Sequence, residues 1–297
     1  MNQMSFFRRS AGAASLAAAL AALTALSPAH ADTLPGLTGS CFTYQPGRVQ
    51  GSGHRISATG FQASLPGTGY SVQVNQLSLT DQSNHLDPAA LTRLNAAAAY
   101  AVLVSYNHGL PAACHNQPLP EVKTLTSSLP SLEWSGITLK RPGHNLTAST
   151  ASLHLLSTTP QAHLRFAANG LHETDHPMVP QSASGALSFT PASNPPYHVT
   201  FENVQAVLDH STFSAQGTLD AGASLPQSNG QLHVTITDIG PLIDKLNEIV
   251  SPKTMAALLI ARLMGHSDGP HKTSWDVGLE NGKVRINGIK IPLSIAQ

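Results

Sequence analysis

YHVTFENVQAVLDHSTFSAQGTLDAG, residues 197–222, decides the fold. Tyr197, Val199 and Phe201 alternate with His198, Thr200 and Glu202, the period of a strand with one apolar face. The phase then slips, and Val204, Ala206 and Leu208 continue on even numbers. A bulge or turn near Asn203 accounts for that slip, because one extra residue returns the apolar side chains to their original face. Phe213, Ala215 and Leu219 give the next strand.

The same alternation spreads outward. Upstream, Ala162, Leu164, Phe166 and Ala168 alternate with His163, Arg165 and Ala167. Downstream, Leu232, Val234 and Ile236 alternate with His233, Thr235 and Thr237. Asn281-Gly282 between Trp275–Leu279 and Val284–Ile286 is a type I′ hairpin signal, and "NGIKIPLSI" closes as a last strand. Nearer the N-terminus, "RISATGFQASL" and "YSVQVNQLSL" flank the turn "PGTG". Turn-rich segments between strands indicate a meander, so the fold class is mainly β, β-rich α+β: an extended, mostly antiparallel sheet with a few covering helices.

Three helices interrupt it. Asp87 caps and Pro88 opens a helix ending at Gly109, with Leu91, Leu94, Ala98, Ala101 and Val102 on one face. Near 241–264, Gly240-Pro241 and Ser251-Pro252 each open a helix. Leu242, Ile243, Leu246, Ile249 and Val250 form one apolar face, and Met255, Leu258, Leu259 and Leu263 the other, so the pair reads as a hairpin packed on the sheet. Residues 32–54 read as an irregular leader. Residues 108–131 are turn-rich, a boundary or a long surface loop, which divides the chain into an N-terminal region (32–130) and a β domain (131–297).

The first 31 residues read as a secretory signal peptide: Arg8 and Arg9, an Ala/Leu run from Ala11 to Leu26, then Ala29-His30-Ala31 with cleavage after Ala31. That implies the periplasm, with no membrane span in the mature chain. Without Arg8 and Arg9, fourteen basic side chains face 16 acidic ones, and no Lys/Arg cluster appears, which excludes nucleic acid as a partner. The charged fraction is 11 %, and Ser, Thr, Asn, Gln, Gly and Pro fill the deficit. The two cysteines, Cys41 and Cys114, should bond in an oxidising compartment. Neither sits in a Cys-x-x-Cys pattern.

"GLHETDHPMVP" (170–180) contains His172-Glu173-x-x-His176, the spacing by which zinc hydrolases place two histidines one turn apart on a helix. A zinc-dependent hydrolase is therefore one functional reading. Gly170 and Pro177 oppose a helix here, and in an extended chain histidines four apart lie about 13 Å from each other. The segment reads as a surface loop whose side chains matter little. No metal, cofactor or catalytic set is expected. The remaining histidines fall mostly on polar strand faces, as His163, His198 and His233 do.

"FSAQGTLDAG", "NGQLHVTITDIGPLIDKLNEIV" and "LENGKVRINGIKIPL" together resemble the C-terminal end of an uncharacterised exported bacterial family, domain of unknown function 2125, and are similar to the terminal part of AsmA-like envelope proteins. The likeness runs from Phe213 to Leu293. It implies a long β-sheet with a lipid-accommodating groove and no catalytic residues. The expectation is a non-catalytic envelope protein that binds a lipid or other apolar ligand in a groove lined by Leu232, Val234, Leu242, Leu246 and Leu259. A structural or interaction module with an envelope-protein partner is the alternative. If the export reading holds, N-terminal sequencing of protein recovered from the producing cell's envelope should begin at Asp32, and a retained Met1 would overturn it.

Overall fold

The computed structural model describes residues 31–115, 117, 128–174, 176, 178–190, 196–222, 225–249, 252–281 and 283–290. The signal-peptide reading (Ala31 apart), Gly282 of the hairpin turn and the end of the last strand lie outside them.

The strands are β1 (Thr43–Gln45), β2 (Arg48–Ser52), β3 (Arg55–Leu65), β4 (Tyr70–Asp81), β5 (Pro130–Arg141), β6 (His144–Ser157), β7 (Ala162–Asn169), β8 (His172–Glu173), β9 (Ser182–Phe189), β10 (Tyr197–Leu208), β11 (Ser211–Ala221), β12 (Asn229–Thr237), β13 (His266–Ser267), β14 (Lys272–Glu280), β15 (Lys283–Ile286) and β16 (Ile289–Lys290). The helices are α1 (Pro88–Tyr106), α2 (Ile239–Asn247) and α3 (Pro252–Leu263). All strands join one 16-stranded antiparallel sheet, almost entirely in chain order. The division at residue 130 separates no sheets, because β4 and β5 pair from Ser71–Lys140 to Asp81–Pro130.

Directly opposed residues on antiparallel strands share a face. One row therefore crosses ten strands: Ile56, Leu79, Leu132, Leu153, Phe166, Gly185, Val204, Ala215, Val234 and Trp275. Every member is apolar or glycine. At Gly185 the Phe166 ring lies where a side chain would stand. The slip read at Asn203 is a bulge: β10 changes register between Phe201 and Val204, which returns Val204 to this row.

A second slip, absent from the sequence reading, is shared by several strands at once. In β3 the buried residues run Ile56, Ala58 and then Phe61, Ala63; in β4 they run Leu79, Leu77 and then Val74, Val72. β5 and β6 do the same around Gly136 and Ser149. The stepping residues face one another as Gly47, Gly60, Asn75, Gly136, Ser149 and Gly170. The four glycines have φ of 73°, 74°, 62° and 64°, the left-handed region that glycine enters without a Cβ penalty. The result is a crease running straight across the strands.

Two cores sit on the apolar face. Over β3–β5, α1 buries Leu91, Ala96, Ala99 and Leu103, and Trp134 donates its indole N–H to buried Asn95 at 2.7 Å. This pair rotates the buried face of α1 away from the expected one, leaving Ala101 exposed. The leader is not irregular filler, since Leu34, Leu37 and Phe42 are buried in the same core. The Cys41–Cys114 disulfide ties the leader to the turn after α1 across 73 residues, a loop whose closure contributes roughly 4 kcal/mol in the chain-entropy model. At the other end, Leu208, Ile236, Leu242 and Trp275 form a smaller core under α2.

Asp81 joins the end of β4 to the turn behind it and to the start of β5. Its buried carboxylate accepts from Ser83 N (3.1 Å) and Oγ (2.7 Å), from His85 N (2.7 Å) and Leu86 N (2.9 Å), and from Leu129 N (2.9 Å), one residue before β5. Burial by itself would raise its pKa, but the Ser83 hydroxyl and the Leu86, Leu129 and His85 amides outweigh it and hold the group at about 2. A depressed carboxylate stabilises the fold above its unfolded pKa and ceases to do so as pH falls through the folded value. Acid unfolding should therefore show a loss of about 2 kcal/mol between roughly pH 4 and pH 2 that disappears in Asp81→Asn. An unchanged acid profile in the variant would contradict the clamp.

Candidate functional site

Between the two cores the apolar face changes character. α1 lies over β3 and β4, and α2 touches β11. Leu155, Leu164, Leu187, Phe189, Val199 and Phe201, on β6, β7, β9 and β10, are half-buried, and Phe213 on β11 is 36 % exposed. Among the described residues no helix makes its main contacts with β7, β9 or β10. Among the described residues the strip is flanked by helix-covered sheet on both sides and is itself only half-buried. Single exposed apolar side chains are ordinary, but a contiguous patch marks an interaction surface.

The same face carries charge beyond the crease. β8 continues the line of β7 after Gly170, and Leu146 opposes Glu173. Glu173 therefore shares the face of Leu146 and Leu139, and its side chain is 6 % exposed. Arg141 donates to its Oε1 at 2.9 Å. His144, opposite Arg141 across the β5–β6 turn, brings Nδ1 to 3.7 Å from the same oxygen. The chain turns after Glu173, with His176 N donating to Glu173 O at 3.3 Å, and His176 Nε2 comes to 4.0 Å from Oε1. The two imidazoles lie 4.7 Å apart between ring centroids. Tyr106, at the end of α1, roofs the group, with Arg141 over its ring at 5.3 Å. Burial raises the Tyr106 pKa, and Glu173 adds to the effect. Among the described residues, four buried side-chain polar atoms have no hydrogen-bond partner, and three are here: Tyr106 Oη, Arg141 Nε and His144 Nδ1.

The described residues of 170–180 are thus not helical, and His172 stands on the opposite face, exposed, paired with Thr147. The motif as a helical triad His172/Glu173/His176 does not assemble. The stretch is also not a loop free of the core, because Glu173 is buried. Arg141 and His144, which complete the group, lie about thirty residues upstream and carry no signal beyond the Pro142-Gly143 turn that makes them opposite neighbours.

The five residues expected to line a groove are divided. Leu242 is buried in the small core and Leu246 packs against it. Val234 belongs to the apolar row, and Leu259 on α3 is 42 % exposed, beside Ile260 at 59 % and Leu263 at 86 %. The outer side of α3 therefore faces away from the sheet. The depression at this end, roughly 780 Å³, is bordered mostly by polar residues such as Thr200, Gln216, Thr218, Gln231, His233 and Asp276, together with Phe201, Leu232 and Val277. Of the five, Leu232 alone borders it. Cys41 and Cys114 are structural, as expected. No helix of the described residues is long and apolar enough to cross a membrane. Comparison with protein-family models, with curated proteins and with solved structures finds no match.

Removing one partner of a buried ion pair leaves the other charged and desolvated. Arg141→Met should cost about 3 kcal/mol by denaturant unfolding, and Arg141→Met with Glu173→Leu should recover most of it. Equal losses in the single and double variants would show that the pair is not coupled.

Proposed function

We propose that this is a non-catalytic exported envelope protein that holds an apolar chain, such as a lipid acyl chain, on the open middle of its sheet. One observation carries the reading: the strip Leu155, Leu164, Phe166, Leu187, Phe189 and Phe201 is apolar, contiguous across four strands and only half-buried among the described residues, between two helix-covered cores. Extended sheets accept a linear ligand along such a strip because every backbone group within it is already paired, so the cost of binding falls on the side chains alone. A strip about four strands wide at roughly 4.8 Å per strand has the dimensions of a long acyl chain. The disulfide agrees with an oxidising compartment. The sequence resemblance proposed above for Phe213–Leu293 would imply the same class of ligand. We propose this surface and not one at the C-terminal helix pair, because Leu242 and Leu246 are already used by the fold.

The test is equilibrium binding of a fluorescent long-chain fatty acid to the disulfide-bonded mature chain. Wild type should saturate, Phe166→Glu and Leu187→Glu should each weaken binding by at least tenfold, and Ile260→Glu on α3 should bind as wild type. Sedimentation of the unliganded protein separates the interaction-module alternative. A dimer that both strip variants dissociate, with no saturable fatty-acid binding, would replace the acyl-chain reading.

A further inference from the structure

We infer that His144, Glu173 and His176 form a binding site for a divalent transition-metal ion of the zinc class, independent of the acyl-chain reading. Each residue offers one ligand atom, and these atoms all lie within 4.8 Å of one another. Bonds to zinc from imidazole nitrogen and carboxylate oxygen are about 2.0–2.2 Å, which places neighbouring ligand atoms roughly 3.0–3.5 Å apart. The observed 3.7 Å from His144 Nδ1 and 4.0 Å from His176 Nε2 to Glu173 Oε1 are within a small side-chain rotation of that separation.

A second observation separates this cluster from a chance gathering of side chains. His144 Nδ1 is buried and has no hydrogen-bond partner, and it lies 3.7 Å from the Glu173 carboxylate, beyond hydrogen-bond range. A buried polar atom without a partner is costly, and a cation placed between the three groups would give His144 Nδ1 one. Two imidazoles and one carboxylate select zinc, iron, cobalt or nickel over calcium or magnesium, which prefer all-oxygen shells. Arg141 donates to the same Oε1 at 2.9 Å and so holds the carboxylate in place beside the two imidazoles, as outer partners of metal ligands commonly do. Its positive charge opposes a dication, so the site should be moderate in affinity. Three protein ligands leave at least one position for water or for an anionic group of a bound molecule.

The sequence contains 15 histidines, so weak non-specific binding must be distinguished from this site. Zinc chloride is titrated calorimetrically into the full disulfide-bonded chain at neutral pH, with the wild type and His144→Ala, His176→Ala and His172→Ala compared. Wild type should show one saturable site that His144→Ala and His176→Ala each weaken by at least tenfold. His172→Ala, adjacent in sequence but on the opposite face, should leave it unchanged. Circular dichroism confirms that each variant is folded, and His144→Gln replaces His144→Ala if the latter is not. Cobalt(II) provides a second readout, since its visible bands should indicate nitrogen ligation in the wild type and change on loss of either ligand. Absence of a saturable site, unchanged affinity in His144→Ala, or an equal loss in His172→Ala would overturn the assignment.

Discussion

Register holds this protein together. An antiparallel sheet with one buried face tolerates no slip, because a shift of one residue moves every side chain to the other side. Here the constraint extends from Ile56 to Trp275 through ten strands, and each must present an apolar side chain or glycine at the same height. The two cores, the open strip and the charged group beyond the crease are all positions on that single face. Where the alternation has to change, it changes in all adjoining strands together, as at Gly60, Asn75, Gly136 and Ser149, or is absorbed by one bulge, as in β10.

Helices and leader then decide which parts of the face stay dry. α1, the leader and the Cys41–Cys114 bond enclose the first core, with Asn95 and Trp134 satisfying each other inside it. α2 covers a smaller area through Leu242. Among the described residues neither helix makes its main contacts with the strip between them. Fully buried apolar residues are concentrated in the first half, where exposure falls to 0–1 % at Phe42, Phe61, Leu79 and Leu103. Stability is therefore centred away from the strip.

Much of the architecture was legible in the residues. Period-two alternation located the strands from Ala162 onward, the phase slip at Asn203 located the bulge, and Asp87-Pro88 located the start of α1, where Asp87 accepts from Ala90 N. Lone apolar residues in 32–54 hid the leader's part in the core, since burial there depends on a helix fifty residues away. The crease was present in the spacing of Ile56, Ala58, Phe61 and Ala63, but its meaning appears only when four strands are aligned. The charged group was half legible. His172-Glu173-x-x-His176 drew attention to the right stretch for a helical reason that does not apply. A turn brings Glu173 and His176 together, and the third member comes from a neighbouring strand, a juxtaposition set by pairing and not by spacing along the chain.

The crease also constrains descent. A residue inserted or deleted in any one of the strands that cross it would throw that strand out of phase with both neighbours, and only matching changes in all of them could repair the damage. Single-residue length changes should thus be purged from this part of the molecule, while the loops at the strand ends drift freely. Growth by whole hairpins at a sheet edge, where nothing has to be matched across the crease, remains open. A lineage built on this plan would diversify by gaining or losing pairs of strands at its C-terminal end and would keep the creased half nearly fixed in length.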